Sequence, residues 1–186
     1  MRGRNLGLLV NCAAILVFLY GCSYQRGSVE TGALLDDGRY AAVLPLVNLT
    51  THPHAGRIVG DLLTTEIYAS SNFRIMESTE MLEMLKGQDD DLDRVLDRTV
   101  AQAIGDKLGV DMVVFGSVTE YRYKRGLNEK PVVGINIRML DVKSGNILAV
   151  GSRSETGGCF WFCEDSLNRL AQKVCRDLVR LMVKAN

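Results

Sequence analysis

The chain has 186 residues, 47% of them hydrophobic and 24% charged, enough for one domain with its own core plus a short leader. Its formal charge is zero, and with Arg2 and Arg4 set aside in an acid-free leader, 20 basic residues face 22 acidic ones, which speaks against nucleic-acid binding. Five cysteines without repeated CxxC pairs exclude a zinc ribbon and a small disulfide scaffold.

Residues 1–21 read as a secretion signal. Arg2 and Arg4 form its positive start, and Leu6 to Tyr20 is an apolar stretch of the length such signals use, short for a membrane span. The tetrad Leu19-Tyr20-Gly21-Cys22 resembles the lipobox of bacterial lipoproteins, with Tyr20 in place of the usual small residue. That resemblance implies cleavage before Cys22 and acylation of Cys22 as the new N-terminus; the other reading is an uncleaved anchor. Ser23 rather than Asp after the cysteine implies, by the same resemblance, sorting to the outer membrane. Several acyl chains at about 0.8 kcal/mol per buried CH₂ would make such an anchor permanent. Residues 22–38 then form a polar, lipidated tether of limited reach, about 50 Å if fully extended.

The domain spans 39–186. Arg39 to Asn48 is a buried strand in which Pro45 argues for an edge or a bulge. From Ala55 the apolar spacing turns helical through Ile58, Val59, Leu62, Leu63 and Ile67, and Ser70-Ser71-Asn72 ends it. Phe73 to Glu77 is a short strand. Ser78 is placed to cap a helix that Gly87 can end. An acidic loop, Gln88 to Asp93, leads into a helix from about Leu92 to Leu108, closed by Gly109. Three antiparallel strands follow, Met112 to Lys124, Val132 to Val142 and Ile147 to Thr156. In the second, Val133, Ile135, Ile137 and Met139 alternate with Asn136 and Arg138, so one face is covered. Met112-Val113-Val114-Phe115 is a continuous apolar run, which predicts burial on both faces there. Lys143-Ser144-Gly145-Asn146 has the residues of a tight hairpin turn. Asp165 to Lys184 is an amphipathic helix with Leu167, Leu170, Ala171, Val174, Leu178, Leu181 and Met182 on its apolar stripe. The order β-α-β-α-α-β-β-β-α predicts an α/β (α+β) fold: a mixed sheet of about five strands with about four helices on its covered face.

Motifs for chemistry are few. His52 and His54 flank Pro53 but have no third ligand near in sequence, so they read as a solvated loop pair. Asp89, Asp91 and Asp93 lack the Gly and Glu of a calcium loop, because Arg94 and Val100 stand at those positions. Phosphate-loop, dinucleotide and nucleophile-elbow signatures are missing, and the chain is expected to be neither an enzyme nor a cofactor binder. Cys159-Phe160-Trp161-Phe162-Cys163 holds the only Trp. Cys159 and Cys163 are a candidate disulfide in an oxidising compartment, with Cys175 as a rival partner or a core thiol. Phe160, Trp161 and Phe162 either seal the core or form an exposed partner contact. The strand edge around Tyr121 to Arg125, with Tyr121 and Tyr123, is a second candidate contact.

Several landmarks taken in order resemble the CsgG/LpoB-type family of bacterial outer-membrane lipoproteins. They are Ala42-Val43-Leu44-Pro45-Leu46 with Asn48-Leu49-Thr50, Asp61 to Glu66, Phe73 to Glu77, Gly109-Val110-Asp111 running into Gly116-Ser117-Val118, and Leu140 to Gly145. The resemblance implies a fold like the N-terminal domain of TolB, a lipid-anchored place on the periplasmic face of the outer membrane, and no catalysis. Two roles compatible with it are a binding or assembly module for an unidentified envelope protein, of the synthase-activator or secretion-accessory kind, and a ring-forming homo-oligomeric subunit of a curli-type secretion assembly. The connections Arg125 to Lys130 and Gly157 to Glu164 are too short for membrane hairpins, whose strands need about 9–11 residues each, so a self-built pore is not expected.

Overall fold

A computed structural model of the chain describes residues 28–31, 38–86, 95–125, 129–158 and 166–184. Its elements are β1 (Ser28–Thr31), β2 (Tyr40–Val43), β3 (Val47–Asn48), α1 (Ala55–Ser70), β4 (Arg74–Ile75), α2 (Ser78–Met84), α3 (Arg98–Leu108), β5 (Met112–Lys124), β6 (Lys130–Asp141), β7 (Ile147–Thr156) and α4 (Leu167–Lys184).

All described strands join one sheet in the order β1-β7-β6-β5-β2-β4, with β3 also on β5. β2 pairs in parallel with β4 and β5, while β5, β6, β7 and β1 are antiparallel. The mixed α/β class and the four helices are as the sequence predicts, and the sheet is larger by two strands. One comes from splitting Arg39–Asn48: Pro45 has no amide to give, so pairing with β5 passes from Val43↔Val114 to Val47↔Ser117 across the break. The strand before the break lies inside the sheet rather than at its edge. The other is β1, which falls within the stretch read as tether and lies on the outer edge of β7, with Ser28 opposite Ser152 and Thr31 opposite Ala149.

Both faces of the sheet are covered along its inner half, where one covered face was expected. On one face α1 and α4 pack against Met112, Val114, Ile135, Ile137 and Met139. On the other, α2 and α3 close over Val113, Phe115, Leu140 and Val142. The alternation along Met112 to Phe115 sorts neighbouring side chains to opposite cores, as the continuous apolar run predicts. Each large aliphatic side chain buried in these layers contributes about 1.5–3 kcal/mol. Gly116 has no room for a side chain, because a Cβ there would stand 2.0 Å from the Asn136 carbonyl oxygen.

The helices settle where caps and burial allow. α1 buries Ala55, Val59, Leu63 and Ile67, one stripe at helical spacing, and Gly56 lets its first turn sit on the Leu46 carbonyl. α2 takes Glu77 as N-cap, and Ser78 is its first residue, reaching Asp61 instead, 3.3 Å away. Its last helical residue is Met84, before Gly87, which lies outside the described residues. α3 starts at Arg98, later than the predicted Leu92. Asp97 fixes that start by accepting from the amides of Thr99 (2.7 Å) and Val100 (3.2 Å), and this keeps its carboxyl below the ordinary range. On α4, Cys175 and Val179 join the buried stripe, whereas Leu181 is 41% exposed.

Candidate interaction surfaces

The outer end of β5 reaches the surface at Arg122, Tyr123 and Lys124, and it is one of three surface features of the domain. First is the free edge of β5. β3 pairs with Ser117 and Val118, and the Leu49 amide donates to the Val118 carbonyl at 3.0 Å. From Glu120 to Lys124, β5 has only β6 as a partner among the described residues. The strand edge read from the sequence is therefore open. Tyr121, proposed there as a contact, is not available: a register shift between Val118 and Glu120 turns its side chain into the core, where it is 1% exposed. Its hydroxyl donates to Asn168 Oδ1 on α4, and burial pushes its ionisation up. Tyr123, 43% exposed, keeps its place at the surface.

The loop after β3 is built on Asn48. Its Oδ1 accepts from the Thr50 amide and hydroxyl (3.0 and 2.8 Å), and its Nδ2 donates to the His52 carbonyl (2.8 Å). This bends the chain so that the His52 ring meets Tyr121 edge-on, centroids 4.8 Å apart. His52 is thus half-buried against an aromatic instead of solvated, and His54 is exposed with φ 60°, where it starts α1. The two histidines serve different neighbours. Beside this loop lies a groove of about 570 Å³ lined by Leu46, Val47, Leu49, Gly56, Arg57 and Leu96, among others. Leu49 is 59% and Leu96 43% exposed. A shallow apolar trough with an open strand edge nearby suits a protein segment rather than a small polar substrate.

The third feature is a charged groove of about 580 Å³ between the end of β7 and α4. Arg153 bridges Glu155 (3.2 Å) and Asp177 (2.9 Å), Lys173 pairs with Glu155, and Arg176 reaches the nearly buried Glu66 at 3.3 Å. At the other end of β6, Arg39 and Ser144 hold Asp141, at 2.9 Å from the Arg39 guanidinium and 2.6 Å from the Ser144 hydroxyl. The Ser144 hydrogen bond, with help from Arg39, keeps that carboxyl below its usual range. The cluster secures the turn after β6, in which Gly145 alone takes positive φ. Cys175 is fully buried, and burial pushes its thiol up to about 12, which makes it a poor nucleophile. Cys22, Cys159, Phe160, Trp161, Phe162, Cys163, Asp89, Asp91 and Asp93 lie outside the described residues. Sequence reasoning missed Leu49, Leu96 and the four basic residues of the α4 groove; the signal for the last was their 4-3-4 spacing at 169, 173, 176 and 180.

Together the sheet order and the two helical layers define an α/β domain of the kind seen in several solved bacterial proteins. No family model and no curated protein matches the chain. Among solved structures it is similar to the PelC dodecamer from Paraburkholderia phytofirmans, at TM-score 0.61 and 22% identity over 83% of this chain and 95% of that one. It is also similar to lipoprotein GNA1162 from Neisseria meningitidis, at TM-score 0.56 and 22% identity over 73% and 94%. The LpoB C-terminal domain from Salmonella enterica aligns at TM-score 0.49 and 16% identity over 65% and 84%, too distant a likeness to carry an inference. At these identities the likenesses establish the fold.

Proposed function

We propose that the chain is a non-catalytic lipoprotein, anchored through Cys22 to the periplasmic face of the outer membrane, that serves an envelope machine as a binding or assembly module. Kinship with the CsgG/LpoB-type lipoproteins, drawn from the ordered landmarks between Tyr40 and Ser154, is part of the same proposal. The observation that carries it is the lipobox-like tetrad Leu19–Cys22 placed before a domain whose fold nearly spans that of a solved lipoprotein. The open β5 edge and the adjoining apolar groove are the surfaces offered for the partner.

A second reading is a ring-forming subunit of a secretion or transport assembly, favoured by the fold likeness to a protein solved as a dodecamer. In both readings the lipid comes first. Intact-mass analysis of the membrane-extracted protein should give a chain beginning at Cys22 with acyl groups on it. A chain that keeps residues 1–21 and carries no acyl mass would end both readings.

A further inference from the structure

Along the outer side of α4, Arg169, Lys173, Arg176 and Arg180 follow one another at spacings of four, three and four, which puts all four on one helical face. Among the described residues, the groove they line at the end of β7 holds two acids, Glu155 and Asp177. Both acids are already engaged, Glu155 by Lys173 and Arg153, Asp177 by Arg153. Arg176 reaches Glu66 of α1 only at 3.3–3.4 Å. Arg169 and Arg180 are exposed and have no acidic partner among the described residues. On the same helix Leu181 is 41% exposed. A row of cationic side chains flanked by an exposed Leu suits an anionic headgroup zone.

The anchor lies close to this surface. Cys22 precedes Ser28 by six residues, so even a fully extended chain allows it about 20 Å. Ser28 is pinned opposite Ser152, and the groove begins three residues further along β7, at Glu155. We propose that the α4 basic face docks on the anionic headgroups of the membrane that holds the lipid, fixing the domain's orientation at the bilayer. The inference rests on the lipid-anchor reading, which brings the stripe and the membrane within reach of each other.

The test is arginine modification by phenylglyoxal, read by mass spectrometry, on the full lipid-bearing chain reconstituted in phosphatidylcholine vesicles with or without phosphatidylglycerol. Arg169 and Arg180 should react more slowly in the anionic vesicles, on the order of fivefold each, and the protection should fade as salt is raised. Arg98, exposed on α3 across the sheet, should react alike in both. Equal rates at Arg169 and Arg180 in the two vesicles, with the chain floating on both, would overturn the docking and leave the anchor standing. A chain that floats with neither vesicle would remove anchor and docking together.

Discussion

Cys175 shows how burial, helped by a nearby carboxylate, sets chemistry at a single residue. Its thiol, packed under α4 and facing the Glu66 carboxylate, is raised from an ordinary 9.0 to about 12. In the unfolded chain it ionises near 9, so the folded form holds the proton more tightly. The stability this gives is fully present below pH 9 and is lost as pH rises through the interval from 9 to about 12. Cys175→Ala removes the group. The stability advantage of the native chain over this variant should therefore shrink, on the order of 1 kcal/mol, between neutral pH and pH 10, read by urea denaturation. A difference that does not change with pH would show that Cys175 is not buried as described. Tyr121 follows the same logic with a polar tip: its ring fills core space, and its hydroxyl is accepted by Asn168.

Among the elements, β5 and β7 were legible in the sequence to the residue, because the apolar run from Met112 marks the start of one and the Gly145 turn the start of the other. The covering of both faces could be read only in part. Val113 and Phe115 signal it, but which helices provide the second cover depends on tertiary packing that no local pattern encodes. The start of α3 was misplaced because Leu92, Val95 and Leu96 extend the apolar spacing upstream. The carboxylate of Asp97 decides otherwise by taking up the first amides, and Val95 joins the core as a connecting residue. Of the two readings of Pro45, an edge or a bulge, the edge fails and the irregularity holds: the four-residue step from Val43 to Val47 faces the three-residue step from Val114 to Ser117. On α4 the difference between stripe and rim is testable. Leu178 is fully buried and its replacement by Ala should cost about 2–5 kcal/mol. Leu181→Ala, at the exposed rim, should stay within about 0.5 kcal/mol, both read by chemical denaturation. Equal losses at the two positions would contradict the packing of this helix.

At the scale of the whole molecule, one domain offers three kinds of surface in separate places. An open strand edge with an apolar groove lies beside β3 and β5 among the described residues, a basic face lies along α4, and β1, which follows the proposed lipid anchor, lies on the edge of β7. Among the described residues, Asp141, Asp177 and Glu66 are held in ion pairs that secure a turn and two helices. On the proposed function, a protein held at a membrane by its lipid works through contact at these surfaces, in a complex or in a ring of its own copies. The contact itself is the central claim, and its most direct measurement is the mass of the lipid-bearing protein extracted in mild detergent after cross-linking in cells, by light scattering coupled to gel filtration. The account predicts a discrete species well above the 20.5 kDa of one full chain, either a ring of identical chains or a complex with one partner. A protein mass that stays at a single chain, with and without cross-linking, would contradict it.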